Sequence, residues 1–312
     1  MANDTDVPAA EPLVYLRGRT LPASQAHIAI YDAAVILGAT VTDLVRTFRQ
    51  QPYRLEDHLQ RFYRSCRYAR IQPRETLDQT LGTCRDLIRH NAALLPPGRE
   101  LALVLFISPG EFPVYAGAAG MAGEGQPTFC IHTFPLPFSL WAPYFTQGVH
   151  VVTPSVRHVP PQCVDPKIKC RSRMHWWLAD QETHLVDPRA VSLCLDLEGN
   201  LTETSGSNFL VVQGRQVLSP TARHILHGIS LQTVAELCPE LGLEFVERDL
   251  QVYDVVNADE AMLATTPYCL APVTRCNGLA VGQGRPGPVF QRLIGAWSER
   301  VGVDIVAQVL GG

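Results

Sequence analysis

Apolar positions along the chain fall into two patterns: short runs of strand length and longer stripes with helical spacing. The apolar runs at residues 101–108 and 128–134 predict buried strands. Shorter apolar or alternating segments predict strands at 14–22, 26–32, 40–48, 149–153, 192–197, 201–213 and 258–266. Helical spacing predicts helices at 55–71, 75–95, 171–186, 231–243 and 288–302.

The order of these elements indicates the fold class. Strands and helices intermix without regular βαβ alternation, which favours an α+β fold with largely antiparallel sheets. Residues 135–145 (PLPFSLWAPYF) contain three prolines and no clear period. We therefore predict a linker at 135–146 between domains at 13–134 and 147–312, preceded by a disordered tail at 1–12.

Composition narrows the class of protein. The chain has 312 residues, 46% of them hydrophobic, and a net charge of −4, which is typical of a soluble globular enzyme and argues against nucleic-acid and membrane partners. Nine cysteines without a CxxC pair favour reduced thiols in a cytoplasm. No metal site is predicted, because the close pair His224 and His227 lacks a suitably spaced Cys or acidic partner.

The distribution of positive charge singles out one short segment. Lysines and arginines number 26, yet only Lys167 and Lys169 are lysines. A guanidinium stays protonated, whereas a buried lysine can lose its proton and attack a carbonyl group. One of the two lysines is therefore a candidate Schiff-base residue, although chance survival of two lysines on a loop would give the same count.

Three further features have both a functional and an ordinary interpretation. Glu203 could pair with a pyridine nitrogen, or it could face solvent at a strand start. The segment from Gly228 to Ser230 leads directly into a helix. The N-terminus of this helix could bind phosphate, or Ser230 could simply be its N-cap. Thr265 and Thr266 could bind phosphate oxygens or cap a turn.

Taken together and in order, five segments resemble the class IV, pyridoxal-phosphate-dependent aminotransferases. That family includes branched-chain aminotransferases, D-amino-acid aminotransferases and aminodeoxychorismate lyases. The segments are RLEDHLQRFYRS, IK followed by ADQE, LTETSGSNFL, HILHGIS and ADEAMLATT. The resemblance implies the two-domain fold type IV architecture, with a smaller N-terminal domain, pyridoxal 5′-phosphate in the interdomain cleft, and a homodimer.

The resemblance also implies roles for individual residues. Lys169 corresponds to the Schiff-base lysine, and Glu203 to the carboxylate beside the pyridine nitrogen. Arg61 is similar to the phosphate-binding arginine of the first long helix. The other implied cofactor contacts are Leu226 on the ring and Ile229, Ser230, Thr265 and Thr266 at the phosphate. Lys167 matches no lysine of the family.

Several substrate-side positions depart from the family pattern. A tyrosine expected four or five residues after the lysine is replaced by Arg173 or Met174. The Tyr-x-Arg-Pro strand of branched-chain enzymes reads FISP at 106–109, so its arginine is missing, and Pro267 has no N–H to offer a carboxylate. The segment at 31–40 lacks the usual Arg-Gly. The substrate-side candidates are Thr40, Phe106, Ser108, Arg173 and Pro267.

These observations leave several functions open. We favour an aminotransferase that moves an amino group from an aliphatic, branched-chain type amino acid to a 2-oxo acid with ping-pong kinetics. The alternatives are an amine transaminase whose donors lack a carboxylate, an aminodeoxychorismate lyase, a D-amino-acid aminotransferase, and a cofactor-binding protein without turnover. The retained Lys169 and Glu203 argue against the last, because simple binding needs neither a base nor an electron sink.

Overall fold

The computed structural model describes residues 11–118 and 125–311, and this part of the chain forms two compact units. The first unit comprises the described residues up to Leu136 together with Cys170–Ser172. The second comprises Pro137–Lys169 and the chain from Arg173 onward. The boundary after Leu136 falls within the predicted linker. The predicted tail at 1–12 lies outside the described residues except for its last two positions.

The first unit is an antiparallel sheet with helices packed on it. The described strands are ordered β2-β1-β6-β5-β3-β4, and every pair is antiparallel. In chain order the elements are β1 (Leu13–Leu16), β2 (Arg19–Pro22), a 3-10 turn (Ala23–Gln25), α1 (Ala33–Ile36), β3 (Val41–Phe48), β4 (Gln51–Pro52), α2 (Leu55–Ala69), α3 (Leu77–Ala92), β5 (Leu101–Ser108), α4 (Pro113–Ala118) and β6 (Thr128–Pro135).

The core of this unit lies between the sheet and its two long helices. Strand β5 is buried along almost its whole length, which is why its sequence is a nearly continuous apolar run. Helix α2 packs on β3 and buries Leu59 and Phe62 completely. The predicted strands at β3, β5 and β6 and the predicted helices at α2 and α3 therefore form where the apolar pattern placed them.

The segment at 26–32, predicted as a strand, contains no strand. Ile28 and Ile30 are exposed, and the only described pairing of this stretch is a single bridge between Asp32 and Glu111. The Asp32 carboxylate instead accepts the N–H of Ala34 at 2.8 Å and caps α1. Apolar alternation forms a strand only where a neighbouring strand pairs with it.

The second unit is built around a larger sheet. Its strands follow the order β12-β11-β10-β13-β14-β7-β8-β9, and β15 pairs with β14. The elements are α5 (Phe138–Thr146), β7 (Val149–Val152), α6 (Met174–Val186), β8 (Val191–Leu195), β9 (Leu201–Thr204), β10 (Asn208–Gln213), β11 (Gln216–Ser219), α7 (Ile229–Glu240), β12 (Glu244–Glu247), α8 (Val252–Val256), β13 (Glu260–Thr265), β14 (Cys269–Cys276), β15 (Leu279–Ala280), α9 (Pro288–Val301) and α10 (Ile305–Leu310).

Two features of this sheet differ from the prediction. Three of its pairs are parallel, β11 with β12 and β7 with both β14 and β8. The segment at 201–213, expected as one hairpin arm, is two strands. Strand β9 pairs with both β8 and β10, so the strands from β10 round to β9 close into a ring.

The segment predicted as the interdomain linker contains a helix. Residues 138–146 form α5, which belongs to the second unit and packs against α10 and β14. Pro143 lies inside it. The sequence pattern did not predict this helix because of its prolines. A proline removes a hydrogen bond within a helix and usually marks the end of one.

No helix among the described residues is both long and apolar enough to cross a membrane. All nine cysteines lie within the described ranges and none forms a disulfide. Most are buried, and burial raises the pKa of the Cys66 and Cys84 thiols to about 12. These thiols are therefore inert packing groups at neutral pH.

Candidate active site

Three strand ends meet where the ring of strands closes in the second unit. Glu203 of β9 lies opposite Asn208, the first residue of β10. Asn208 in turn lies opposite Ala264 of β13, and the next residue, Thr265, ends that strand. Backbone pairing thus makes neighbours of residues that are far apart in the sequence.

The Glu203 carboxylate is held by two donors on one oxygen. Asn208 Nδ2 donates to Oε2 at 3.0 Å, and the backbone N–H of Leu226 donates to the same oxygen at 3.1 Å. Asn208 Nδ2 is also 2.9 Å from the carbonyl oxygen of Leu226. Donors to an ionised carboxylate stabilise its charge and fix its position. Glu203 is therefore a positioned anion and not a mobile surface side chain.

His158 lies on the other side of this carboxylate. Its Nε2 is 3.7 Å from Glu203 Oε1, and its Nδ1 lies 3.0 Å from the Val159 carbonyl, which accepts a hydrogen bond when Nδ1 carries the proton. Burial, together with the charge of the nearby His175, lowers the pKa of His158 to about 4. His158 is thus neutral at pH 7, so the close approach to Glu203 is not an ion pair there.

Helix α7 begins without a side-chain cap. Gly228 occupies the N-cap, and Ser230, the residue expected as a cap in the ordinary interpretation, is already the second helical residue. A Cβ on Gly228 would lie 2.1 Å from Asn208 Oδ1, so only glycine allows this approach. The backbone N–H groups of Ile229 and Ser230 stand at a helix N-terminus, which attracts anions.

The end of β13 is tied to the turn between β9 and β10. The Thr265 hydroxyl donates to the Gly206 carbonyl at 2.6 Å. Thr266 and Pro267 follow in the turn before β14, and both are half-buried. The hydroxyl hydrogen of Thr265 is therefore engaged in holding the turn, which agrees with the ordinary interpretation for that threonine.

The two lysines have different surroundings. Lys167 is 48% exposed, and its Nζ lies 3.0 Å from Asp165 Oδ2 in a surface ion pair. Lys169 is half-buried and is the last residue of its stretch of the second unit. Arg173 is the N-cap residue of α6, where its charge adds to burial in lowering the pKa of His175.

In the first unit, Arg61 is fixed by a buried carboxylate. Its Nε and Nη2 donate to the two oxygens of Asp43 at 2.9 and 2.7 Å, and His58 Nδ1 lies 2.8 Å from Oδ1. Burial alone would raise the pKa of Asp43, but Arg61 and His58 hold it well below its usual range. The role of Arg61 at a phosphate stays a prediction of the resemblance.

The other substrate-side candidates of the first unit have unequal surroundings. Ser108 is fully buried and donates to Asp32 at 2.5 Å, while Thr128 donates to the same carboxylate at 2.6 Å. The Ser108 hydroxyl hydrogen is therefore engaged within the protein. Phe106 is half-buried, and Thr40 is buried with no hydrogen-bond partner for its hydroxyl.

Arg171, which no sequence motif singled out, lies beside two of these candidates. Its backbone N–H donates to the Thr40 carbonyl at 3.2 Å, and its Nε donates to Thr42 Oγ1 at 3.3 Å. Its guanidinium carbon lies 5.4 Å from the ring centre of Phe106. The signal that could have identified it is its position two residues after Lys169, in the same short segment.

The groups of the second unit fit pyridoxal 5′-phosphate. Glu203 has the fixed carboxylate that a protonated ring nitrogen would need, and the start of α7 has the N–H groups that could hold a phosphate. Lys169, also in this unit, carries the amine that could hold the cofactor covalently. Within residues 11–118 and 125–311, no group of three or more His, Cys, Asp or Glu side chains could hold a metal ion.

Comparison with known proteins agrees with this chemistry. The family model described as Amino-transferase class IV matches residues 40–276. The branched-chain-amino-acid aminotransferase of Escherichia coli (strain K12) is 25% identical over 285 residues, which cover 90% of each chain. That of Salmonella typhimurium (strain LT2) is 25% identical over 289 residues, again with 90% of each chain covered.

Solved structures show the same relationship at the level of the fold. The Escherichia coli branched-chain amino acid aminotransferase has a TM-score of 0.83 at 24% identity, covering 93% of this chain and 94% of that one. The Thermobaculum terrenum enzyme in its PLP-form has a TM-score of 0.80 at 23% identity, covering 94% of each chain. The predicted fold type IV architecture is confirmed. The chain therefore belongs to the class IV aminotransferases and is a pyridoxal 5′-phosphate-dependent transaminase.

Proposed function

We propose that this transaminase moves the amino group of a branched-chain or other aliphatic amino acid to a 2-oxo acid. The observation that carries the proposal is the carboxylate of Glu203, held by Asn208 and Leu226 next to the uncapped start of α7. Two relatives, both branched-chain-amino-acid aminotransferases, support the substrate class. Each is 25% identical to this chain, and the match covers 90% of its length.

Lys169 is the proposed catalytic residue. It would bind the cofactor covalently through its ε-amine and, when displaced by the amino donor, move a proton at the substrate α-carbon. Its half-buried position suits an amine that must give up its proton. When bound, the cofactor supplies the electron sink for this chemistry. Because a 2-oxo acid must accept the amino group before the next donor can react, we expect ping-pong kinetics.

The other cofactor contacts have separate proposed tasks. The amides of Ile229 and Ser230, together with the Thr266 hydroxyl, would bind the phosphate, while Thr265 holds the turn. Leu226 would pack on the ring while its N–H holds Glu203. Glu203 would keep the ring nitrogen protonated. We also propose a homodimer and a cytoplasmic location, the latter supported by the nine free thiols.

The lysine assignment has a sharp test because the chain has only two lysines. Reduction of the holoenzyme with borohydride, followed by peptide mapping, should place the cofactor on Lys169 and not on Lys167. Lys169→Ala should lose the visible absorbance of lysine-bound cofactor and all turnover. Lys167→Ala, the matched control at a surface ion pair, should keep both. Cofactor found on Lys167, or unchanged absorbance in Lys169→Ala, would contradict the assignment.

One alternative function has structural support. Ser108 is engaged with Asp32, and Pro267 offers no N–H, so two positions expected to hold a substrate carboxylate do not do so in the expected way. These positions favour an amine transaminase. Mixing holoenzyme with L-amino acids, D-amino acids and primary amines, without an acceptor, separates the two functions by which donors bleach the visible band. Release of pyruvate from aminodeoxychorismate alone would indicate the lyase.

A further inference from the structure

We propose that Arg171 is the residue that binds the substrate carboxylate and makes the enzyme selective for donors that carry one. This inference rests on the proposed function and deepens it by naming the specificity determinant. It concerns a residue of the first unit that none of the family segments contains. It also offers a replacement for the arginine missing from the strand at 106–109.

The guanidinium of Arg171 is oriented by a buried hydroxyl. Thr42 donates its hydroxyl hydrogen to the Leu105 carbonyl at 2.8 Å, so its oxygen is turned to accept the Arg171 Nε at 3.3 Å. Thr42 belongs to β3 and is buried in the sheet. An arginine held against a rigid strand loses little conformational entropy when it donates to a carboxylate.

The surroundings of this guanidinium suit the rest of an amino acid. The ring centre of Phe106 lies 5.4 Å from the guanidinium carbon, and the ring supplies an apolar surface next to the charge. The hydroxyl of Thr40 is buried without a partner, and the Thr40 carbonyl accepts the Arg171 backbone N–H. A buried hydroxyl without a partner is costly, and a ligand oxygen would satisfy it.

Two titratable neighbours are compatible with an anionic ligand. Burial and the charge of Arg171 lower the pKa of His132, and burial raises the pKa of the Cys130 thiol to about 12 although Arg171 opposes the shift. Both side chains are uncharged near neutral pH. Neither of them therefore adds a negative charge that would repel a carboxylate.

Arg171 and the residue that carries the proposed reactive amine are near neighbours in the sequence. Arg171 follows Lys169 by two positions, so their Cα atoms are at most about 7 Å apart. In an α-amino acid the amino and carboxylate groups are attached to the same carbon atom. A lysine that acts at this carbon and an arginine that binds the carboxylate must therefore be near neighbours.

The first test compares two donors that differ only in the carboxylate, L-leucine and 3-methylbutylamine, in the half-reaction of the holoenzyme. Arg171→Gln should lower kcat/KM for leucine about 10- to 100-fold, because a charge-assisted contact is lost, and should leave that for the amine unchanged. Arg171→Lys should retain part of the preference. The control is Arg89→Gln, whose side chain is 77% exposed on α3 and paired with Asp86.

The second test measures binding instead of turnover. We expect the holoenzyme to bind 4-methylpentanoate more tightly than 4-methylpentanamide in calorimetry, and Arg171→Gln to remove this difference. Thr42→Val, which deletes the orienting oxygen, should reduce it by a smaller factor and provides a second variant if Arg171→Gln folds poorly. Equal losses for both donors, or an unchanged carboxylate preference in both variants, would overturn the proposal.

The two proposals fail in distinguishable ways. If wild-type holoenzyme reacts with no amino acid, the proposed function is wrong, and the binding measurement still decides the role of Arg171. If leucine reacts equally well with wild-type enzyme and Arg171→Gln, the aminotransferase function stands and Arg171 is not the anchor.

Discussion

His158 is a buried histidine whose Nε2 lies 3.7 Å from the Glu203 carboxylate. The pKa of this histidine falls from 6.5 to about 4 on folding, so between these pH values the unfolded chain binds more protons than the folded one. Its contribution to stability is therefore complete above about pH 6.5 and is lost as the pH falls towards 4. The free energy of unfolding should fall by at most about 3 kcal/mol over this interval on account of His158.

We expect His158→Gln to flatten the dependence of stability on pH in this window, as measured by urea unfolding of the holoenzyme at several pH values. His184→Gln changes an exposed histidine of α6 and serves as the matched control. A wild-type pH dependence in His158→Gln would show that the proton uptake belongs to another group.

Single residues also show where sequence reasoning stopped. Motif position made Glu203 and Arg61 candidates, because each lies in a recognisable segment. It was not sufficient for Asp43 or Asn208, which hold these two residues in place. Asp43 is 18 positions from Arg61, and in both cases the partners meet through tertiary packing or strand pairing that no local pattern records. The contacts of Arg171 with Thr42 and Phe106 could not be predicted for the same reason.

At the scale of elements, the start of α7 depends on a glycine. In Gly228→Ala the new Cβ would meet Asn208 Oδ1 at 2.1 Å, and Asn208 would have to move away from Glu203 and Leu226. We expect a loss of about 1–3 kcal/mol in stability and weaker retention of the cofactor on dialysis. Thermal unfolding and the visible absorbance of the dialysed protein measure the two effects.

The matched control is Gly295→Ala, a glycine within α9 whose Cβ would meet no atom within 4 Å. Alanine is the better helix former by about 1 kcal/mol, so this variant should be as stable as the wild type or more so. If both variants lose cofactor to the same extent, the loss reflects general destabilisation and not the contact with Asn208.

Helices and strands with a strong apolar pattern could be predicted from the sequence, and those with a weak apolar pattern could not. Strand β5 and helices α2 and α3 lie within a few residues of their predicted ranges, because each buries a continuous or periodic apolar face. Strand β14 contains a proline and was missed, since its place is decided by pairing with β13 and β7. The strand predicted at 26–32 does not form for the opposite reason. Its local apolar pattern is good, but no strand lies beside it to pair with.

At the scale of the whole molecule, α6 presents apolar side chains to solvent. Met174, Leu178 and Leu185 follow one face of the helix with Trp177 beside them, and Trp177 and Leu185 are 62% and 88% exposed. Exposed apolar patches of this kind mark protein–protein surfaces. We expect this face to form part of the proposed homodimer interface.

The double substitution Trp177→Glu and Leu185→Glu should shift a wild-type dimer to monomer, because it places two like charges on each copy of the interface. Sedimentation velocity over a range of concentrations measures the shift. Tyr253→Glu, at a 74% exposed position on α8, should sediment as the wild type does. A wild-type monomer at all concentrations would contradict the homodimer.

The contribution of Cys170–Ser172 to the first unit limits how this protein can be divided. The strand bridge from Cys170 to Val41 and the bond from the Ser172 hydroxyl to the Gly38 carbonyl at 2.7 Å join residues more than a hundred positions apart. A fragment ending at Leu136 would lack these partners and Arg171 with them. The two units are therefore not interchangeable modules. A continuous segment from Pro137 onward would keep Lys169 and Arg171 together, but Arg171 would lose its hydrogen-bond partners Thr40 and Thr42 of the first unit.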